Sequence, residues 1–212
     1  MSDRIARRLP WMIAAIALAI FALAGLAGGP GSTSDITVIQ ALGAERASHA
    51  GLTAAAIVIT TVGGAGGMVS ILAIVVLGMV VKRRRQEAAV IAAVVLGGRA
   101  IVEILKIMIA RPRPAFGPYP IDVWSLSFPS AHSANSMITF LAIAMLASPV
   151  RYRAMAIATA VALSVLIGAT RPYLGVHWPS DVIGGWAFGI AWVVSLATAY
   201  DYWRASREVR AA

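Results

Sequence analysis

Apolar positions along the chain fall into long, nearly unbroken blocks, set apart by short stretches that hold most of the charge and proline. A helix crossing roughly 30 Å of hydrocarbon needs about 20 such residues. Six blocks reach or approach that length: 11–28 (WMIAAIALAIFALAGLAG), 66–81, 88–108, 132–148, 153–170 and 182–200. The stretch 51–65 (GLTAAAIVITTVGGA) is too short and too rich in glycine to count as a seventh. The pattern predicts an all-α, polytopic membrane protein, a bundle of six transmembrane helices with a short interfacial helix in the first outer loop. A single domain is expected over 1–212, with its core at 51–203 and with 1–50 supplying the first helix and the outer loop.

The first block follows Arg4, Arg7 and Arg8 and so has the flanks of a signal peptide. Its apolar core exceeds the 7–15 residues of a signal sequence, and five more blocks follow, so a retained helix is expected. Composition agrees with a membrane chain: 59% of residues are hydrophobic, 13% are charged, and the mean hydropathy is +0.81. The absence of cysteine excludes a disulfide framework, a thiol nucleophile and a thiolate metal site.

The net charge of +9 raises the question of nucleic acid, and the distribution of the charge answers it. Arg4, Arg7 and Arg8 precede the first span, Lys82 to Arg85 lie between the second and third, Arg151 and Arg153 between the fourth and fifth, and Arg204, Arg207 and Arg210 after the sixth. Twelve of the eighteen basic residues thus fall on one face, which the positive-inside rule makes cytoplasmic, with both termini. This is an orienting charge that meets anionic headgroups. A nucleic-acid site would need a basic patch interleaved with aromatics, and none is present, so the expected partners are membrane lipids and not nucleic acid.

Arg46, Arg99, Lys106, Arg111, Arg113 and Arg171 are left over. Arg46, beside Glu45 in the polar loop 29–50, reads as a solvated surface charge. Arg99, Glu103 and Lys106 are spaced i, i+4 and i+7, which puts them on one helical face, and ionisable groups inside a span face the bundle. Arg99 and Glu103 are more readily a self-neutralising helical pair than ligand contacts. Lys106 has no such partner and precedes IMIARPRPAFG, where Pro112 and Pro114 cannot continue the helix.

Three segments on the outer side hold the remaining chemistry: 106–114, 129–132 and 170–181. Ser130 is a natural N-cap for the helix that follows, leaving the N–H groups of Ala131 and His132 free. Pro179 suits the first position of the last helix, with Asp181 in its first turn. Helix N-termini, guanidinium groups and an ammonium together favour an anion, and phosphate fits the set best. Asp181, four residues after His177, can fix the ring tautomer that leaves the other nitrogen nucleophilic. His49, in the polar outer loop, lacks such neighbours and reads as packed or interfacial.

These segments resemble the signature of the type-2 phosphatidic acid phosphatase superfamily of membrane lipid phosphatases. The match reads Lys106, six residues, Arg113-Pro114; then Pro129-Ser130-Ala131-His132; then Thr170-Arg171, five residues, His177, three residues, Asp181. Two positions depart from the family's usual pattern, Ala131 in place of glycine and Thr170 in place of serine; both keep the group, an N–H or a hydroxyl, that would meet phosphate. The resemblance implies that His177 attacks phosphorus with Asp181 orienting its ring, and that His132 is the acid and then the base. It implies that Lys106, Arg113, Ser130, Ala131 and Arg171 bind the phosphate; Arg99, Glu103 and Arg111, outside the signature, are candidates for a supporting role by their placement alone. The implied activity is hydrolysis of a lipid phosphate or diphosphate, with polyprenyl diphosphate favoured over phosphatidylglycerol phosphate and phosphatidate. The active site is expected on the outer face of an inner or plasma membrane.

No metal or other cofactor enters this scheme, and only Asp181 and Asp122 of the nine acidic residues lie on these loops, too few for a two-metal centre. Three alternatives share some features. A transporter would show an internal repeat and polar groups along a path, a vanadium haloperoxidase shares the three motifs without six spans, and a phosphotransferase would pass the phosphoryl group from His177 to another lipid. The segment 115–128 (AFGPYPIDVWSLSF), with Tyr119, Trp124 and Phe128, reads either as an interfacial belt lining the headgroup entrance or, equally well, as plain aromatic anchoring at the membrane surface.

Overall fold

The computed structural model describes residues 2–211, with side chains from 8 to 210. The side chains of Arg4 and Arg7, counted above in the cytoplasmic set, lie outside the described residues. The described chain is all-helical: α1 (Ser2–Ala27), α2 (Thr33–Ser48), α3 (Ala50–Val62), α4 (Ala65–Val81), α5 (Arg85–Ile109), α6 (Ala131–Leu146), α7 (Arg153–Tyr173, preceded by a 3-10 turn) and α8 (Pro179–Ala211).

The polarity of the bundle is that of a protein in lipid. Large apolar side chains such as Ile74, Met108 and Leu23 point outward, while Asn135, Ser136 and Thr139 are buried between helices. With hydrocarbon outside there is no hydrophobic gain from hiding leucine, so close packing and interhelical hydrogen bonds hold the helices together. Four helical stretches are long and apolar enough to cross a membrane singly: 8–27, 85–109, 150–173 and 179–210.

Taken together, α3 and α4, bent by 48° at their junction, are also long and apolar enough, so the described residues hold four candidate spans, or five if the bent pair is one, and the expected count of six is not reached. As expected, 51–65 is not a further span by itself; it is helical and continues the block at 66–81. The Gly63-Gly64 pair that made the stretch look like a break is where the two helices meet. A Cβ on Gly63 would lie 2.2 Å from Cγ2 of Ile167, so glycine lets this corner pack directly on α7. The block at 132–148 becomes α6, whose 16 residues fall short of a full membrane crossing.

At the centre stands α6, which packs on α4, α5, α7 and α8 and buries eleven of its sixteen residues. Gly185 and Gly189 on α8, four apart, give it the closest approach. A Cβ at 185 would lie 2.8 Å from the Ser130 carbonyl oxygen, and one at 189 would lie 2.8 Å from Cβ of Met137. Small residues at this spacing let two membrane helices touch backbone to backbone. The N-terminus of α6 is thereby set against the first turns of α8, and those two helix starts carry the site.

The basic turns gather at the other end. Arg84 donates to the Ala147 carbonyl at 3.2 Å, joining the α4–α5 turn to the α6–α7 turn. On the site side α2 is a short helix, as expected for the first outer loop, and it is tied at both ends. Asp35 in its first turn accepts from the amides of Gly29 (2.7 Å) and Ser180 (3.1 Å) and from the Ser180 hydroxyl (2.5 Å). Arg46 in its last turn donates to the Tyr173 carbonyl at 2.8 Å, at the end of α7. Arg46 is therefore a half-buried cap and not a free surface charge, because the last carbonyls of α7 have no partner within their own helix.

Candidate active site

Three chain segments meet above α6. The first leaves α5 at Ala110, whose left-handed conformation (φ 50°) ends the helix two residues before Pro112. Its buried Lys106 donates to the Leu126 carbonyl at 2.5 Å. Arg113 donates through Nε to the Ser125 carbonyl (2.7 Å) and through Nη1 to the Val176 carbonyl (2.5 Å). These bonds hold both cations against the 125–127 strap.

The second segment begins at Ser130, the N-cap of α6, whose hydroxyl accepts from the Ser133 hydroxyl at 3.1 Å and caps the Ser133 amide. The third runs from the end of α7 to the start of α8. Arg171 donates to the hydroxyl of Thr60 on α3 at 2.6 Å, and its Nε is buried without a partner among the described residues. His177 and Asp181 follow, separated by one helical turn.

His177 is almost wholly buried, and both ring nitrogens are held. Nδ1 lies 3.2 Å from Oδ2 of Asp181, and Nε2 lies 3.0 Å from Nη1 of Arg113. A guanidinium only donates and a carboxylate only accepts, so these partners assign the proton to Nδ1 and a lone pair to Nε2. Burial pushes the His177 pKa well below its ordinary value, and the nearby cations Arg113, Arg171 and Lys106 push in the same direction. The imidazole is thus neutral with its free nitrogen facing the cations.

Asp181 is saturated. Oδ2 also accepts from the Trp178 amide (2.9 Å) and from the Ser127 hydroxyl, while Oδ1 accepts from Nη1 of Arg111 at 2.8 Å. Arg111 in turn donates to the Ser180 hydroxyl and to the carbonyls of Ala24 and Gly25, and lies 4.3 Å from the centre of the Phe128 ring. A chain of contacts therefore runs from α2 through Asp35, Ser180, Arg111 and Asp181 to the His177 ring.

In front of His177 is a cavity of about 140 Å³ lined by Lys106, Arg113, Ala131, His132, Arg171, His177 and the 122–125 strap. Three cations and two histidines face a space of phosphoryl size. Larger clefts lie elsewhere, one between α1, α2 and α8 and one beside Arg46 and Tyr119, and neither is lined by a histidine. Among the described residues no cluster of three or more histidine, aspartate or glutamate side chains could hold a metal ion.

The structure brings His132, His177, Asp181, Lys106, Arg113, Ala131 and Arg171 together. Ser130 lies behind the lining, spent on capping. Arg111 meets Asp181 and not the cavity. Arg99 and Glu103 are elsewhere on α5, and their expected pairing is not formed: Glu103 lies outside the buried stripe of Ala88, Ile91, Val95, Gly98, Val102 and Lys106, and is exposed. Phe128 is also placed differently from expectation, fully buried against Phe21 and Arg111, while Trp124 is 92% exposed at the surface. Ser127, Thr60 and Asp35 were not singled out in the sequence, and no local motif marks them.

The fold is that of a multi-pass integral membrane protein with two histidines and three cations around one cavity. The chain belongs to the PAP2 superfamily, whose family model matches residues 86–205. It is similar to phosphatidylglycerophosphatase B of Bacillus subtilis strain 168, with 36% identity over 97 residues, 43% of this chain and 47% of that protein. It is also similar to a lipid A 1-phosphatase of Rhizobium etli (40% over 113 residues, 49% of this chain and 45% of that protein). An undecaprenyl-diphosphatase of Sulfolobus acidocaldarius shares 34% over 106 residues, 45% of this chain and 46% of that protein. The chain thus spans about half the length of the curated relatives it matches. The crystal structure of a transmembrane PAP2-type phosphatidylglycerolphosphate phosphatase from Bacillus subtilis is similar over 92% of this chain and 96% of that one, with TM-score 0.78 and 26% identity.

Proposed function

We propose that the protein hydrolyses the terminal phosphate ester or anhydride of a membrane lipid through a phosphohistidine at His177. The observation that carries this reading is the neutral His177 ring, pinned by Asp181 on one nitrogen and presenting the other to a cavity lined by Lys106, Arg113, Arg171 and His132.

In the first step Nε2 of His177 attacks phosphorus and the bond from phosphorus to the lipid-side oxygen breaks. His132, charged by a proton taken up with the anionic substrate, gives that proton to this oxygen. As the His177 ring becomes cationic, Asp181 stabilises it across the 3.2 Å contact. Arg113 moves its Nη1 bond from Nε2 to a phosphoryl oxygen, and Lys106, Arg171 and the amides at the start of α6 take the others. In the second step neutral His132 removes a proton from water, the water oxygen attacks phosphorus, and the P–N bond breaks. Phosphate leaves, with His177 neutral and His132 protonated once more.

The substrate is a lipid whose phosphate reaches the outer end of the bundle, opposite the basic turns, which the positive-inside rule assigns to the cytoplasm. Among such lipids polyprenyl diphosphate is the favoured reading, supported by similarity to an undecaprenyl-diphosphatase. The names of one curated relative and of the similar crystal structure make phosphatidylglycerol phosphate the first competitor, and that of another relative adds lipid A 1-phosphate. The test is phosphate release from polyprenyl diphosphate, phosphatidylglycerol phosphate and phosphatidate in detergent with EDTA, comparing wild type with His177→Ala. Release that survives EDTA and is lost in the variant, with an acid-labile phosphoprotein trapped on the wild type, is expected. No release from any lipid by folded protein would overturn the reading.

A further inference from the structure

We propose that Arg99, Asn135 and Thr139 form a binding site for a single small anion of the halide class, inside the bundle between α4, α5 and α6. The inference is independent of the phosphatase reading, since none of the three lines the cavity at His177.

Three buried polar atoms converge here without a hydrogen-bond partner among the described residues: Nη1 of Arg99, Oδ1 of Asn135 and Oγ1 of Thr139. Asn135 is 7% exposed and Thr139 is fully buried. All three line one small cavity together with Met68, Val69, Val95 and Leu96, of which Val69 and Leu96 are half exposed on the outer surface of the bundle. Buried polar groups are almost always hydrogen-bonded, so three orphans around one space point to an occupant.

Charge and depth decide what kind. Arg99 is ten residues from the end of α5 at Ile109 and fourteen from its start at Arg85. At 1.5 Å per residue that is about 15 Å and 21 Å, too far for the side chain to reach either headgroup layer. Glu103, the acid nearest to Arg99 along α5, is exposed and makes no ion pair with it. The guanidinium therefore has no counter-charge from its own helix, and no ion pair to Arg99 is formed among the described residues. A cation inside a membrane span normally pairs with something.

The cavity's volume, about 10 Å³, corresponds to one water-sized sphere and leaves no room for a phosphate or a carboxylate ligand. Of the smallest occupants, a water would satisfy the orphans but leave the charge, whereas a halide, somewhat larger than a water, is accommodated as the half-exposed Val69 and Leu96 side chains give way. A halide satisfies both, because Arg99, the Asn135 amide turned by its NH₂ side, and the Thr139 hydroxyl are all donors.

The test uses the full chain. Crystals grown without chloride and soaked in sodium bromide are expected to show an anomalous peak in contact with the Arg99 guanidinium and the Thr139 hydroxyl. In detergent, with the outer cavity saturated by inorganic phosphate, replacing gluconate by bromide at constant ionic strength is expected to raise the melting temperature saturably by a few degrees. Thr139→Val and Arg99→Met should abolish that response. Absence of an anomalous peak beside Arg99, or a bromide response unchanged in Thr139→Val, would overturn the proposal. If Arg99→Met does not fold, the wild-type diffraction experiment decides alone.

Discussion

Arg111→Met tests whether the site is held from behind. In the structure the guanidinium makes four hydrogen bonds, 2.8 Å to Asp181, 3.0 Å to Ser180, 2.9 Å to Ala24 and 2.7 Å to Gly25, and is 6% exposed. Methionine keeps the volume and the contact with Phe128 but leaves a fully buried carboxylate short of its cation. Removing one partner of a buried ion pair costs about 3–5 kcal/mol, and at about 2–4 °C per kcal/mol for a chain of this size the melting temperature should fall by roughly 6–20 °C. Asp181 keeps its bonds from Ser127 and the Trp178 amide, so the His177 tautomer survives and activity is reduced, not abolished. Loss of an outer partner of an orienting group typically matters by about 10–100-fold, expected here in kcat with KM little changed, since Arg111 does not line the cavity. Arg111→Lys, which keeps the charge without the fork, should fall between. The assays are thermal unfolding in detergent and steady-state phosphate release. A methionine variant that melts within 2 °C of wild type, roughly 1 kcal/mol at most, and keeps its kcat would refute the reasoning.

Three further outcomes are expected. Gly185→Ala places a Cβ 2.8 Å from the Ser130 carbonyl and 2.9 Å from Cβ of Ser133; overpacking of this kind costs about 1–3 kcal/mol, and the displaced start of α6 should reduce kcat, read by unfolding and turnover on one preparation. Asp35→Ala leaves the amides of Gly29 and Ser180 without an acceptor, about 1–3 kcal/mol by the cost of an unmade buried hydrogen bond, and urea or thermal unfolding should report it. The third concerns pH: His177 has a folded pKa held well below its unfolded value near 6.5, so the unfolded chain takes up a proton that the folded chain does not. Its contribution to stability is therefore fully present above about pH 6.5 and declines as pH falls below it, by at most about 1.4 kcal/mol per pH unit. The difference in melting temperature between wild type and His177→Gln, measured from pH 7.5 to 5, should shrink with acid; a difference independent of pH would contradict a neutral buried His177.

The residues at and directly behind the cavity were legible because their chemistry is local in the sequence. Lys106 and Arg113, Ser130 and His132, and His177 and Asp181 each sit within one short segment where charge interrupts an apolar pattern. Helix ends marked by Pro112, Ser130 and Pro179 were legible for the same reason. The supporting shell was not, since it is built across the fold: Asp35 meets Ser180 over 145 positions, and Arg171 meets Thr60 over 111. Thr60 lies in an apolar stretch that glycine made look like a break, and Arg46 looked solvated because its acceptor is a main-chain carbonyl that no side-chain pattern announces. Glu103 shows the limit of spacing alone, because four residues bring it near Arg99 along the helix without bringing it onto the buried face.

The small outer helix α2 carries a consequence for how variants of this protein would behave. Its two ends grip the last turn of α7 through Arg46 and the first turn of α8 through Asp35, so it works as a clasp across the loop that bears His177. A segment outside the matched family region thereby braces the loop that carries His177 from both sides. Exchanging this clasp between related chains would alter turnover even where every cavity residue is kept.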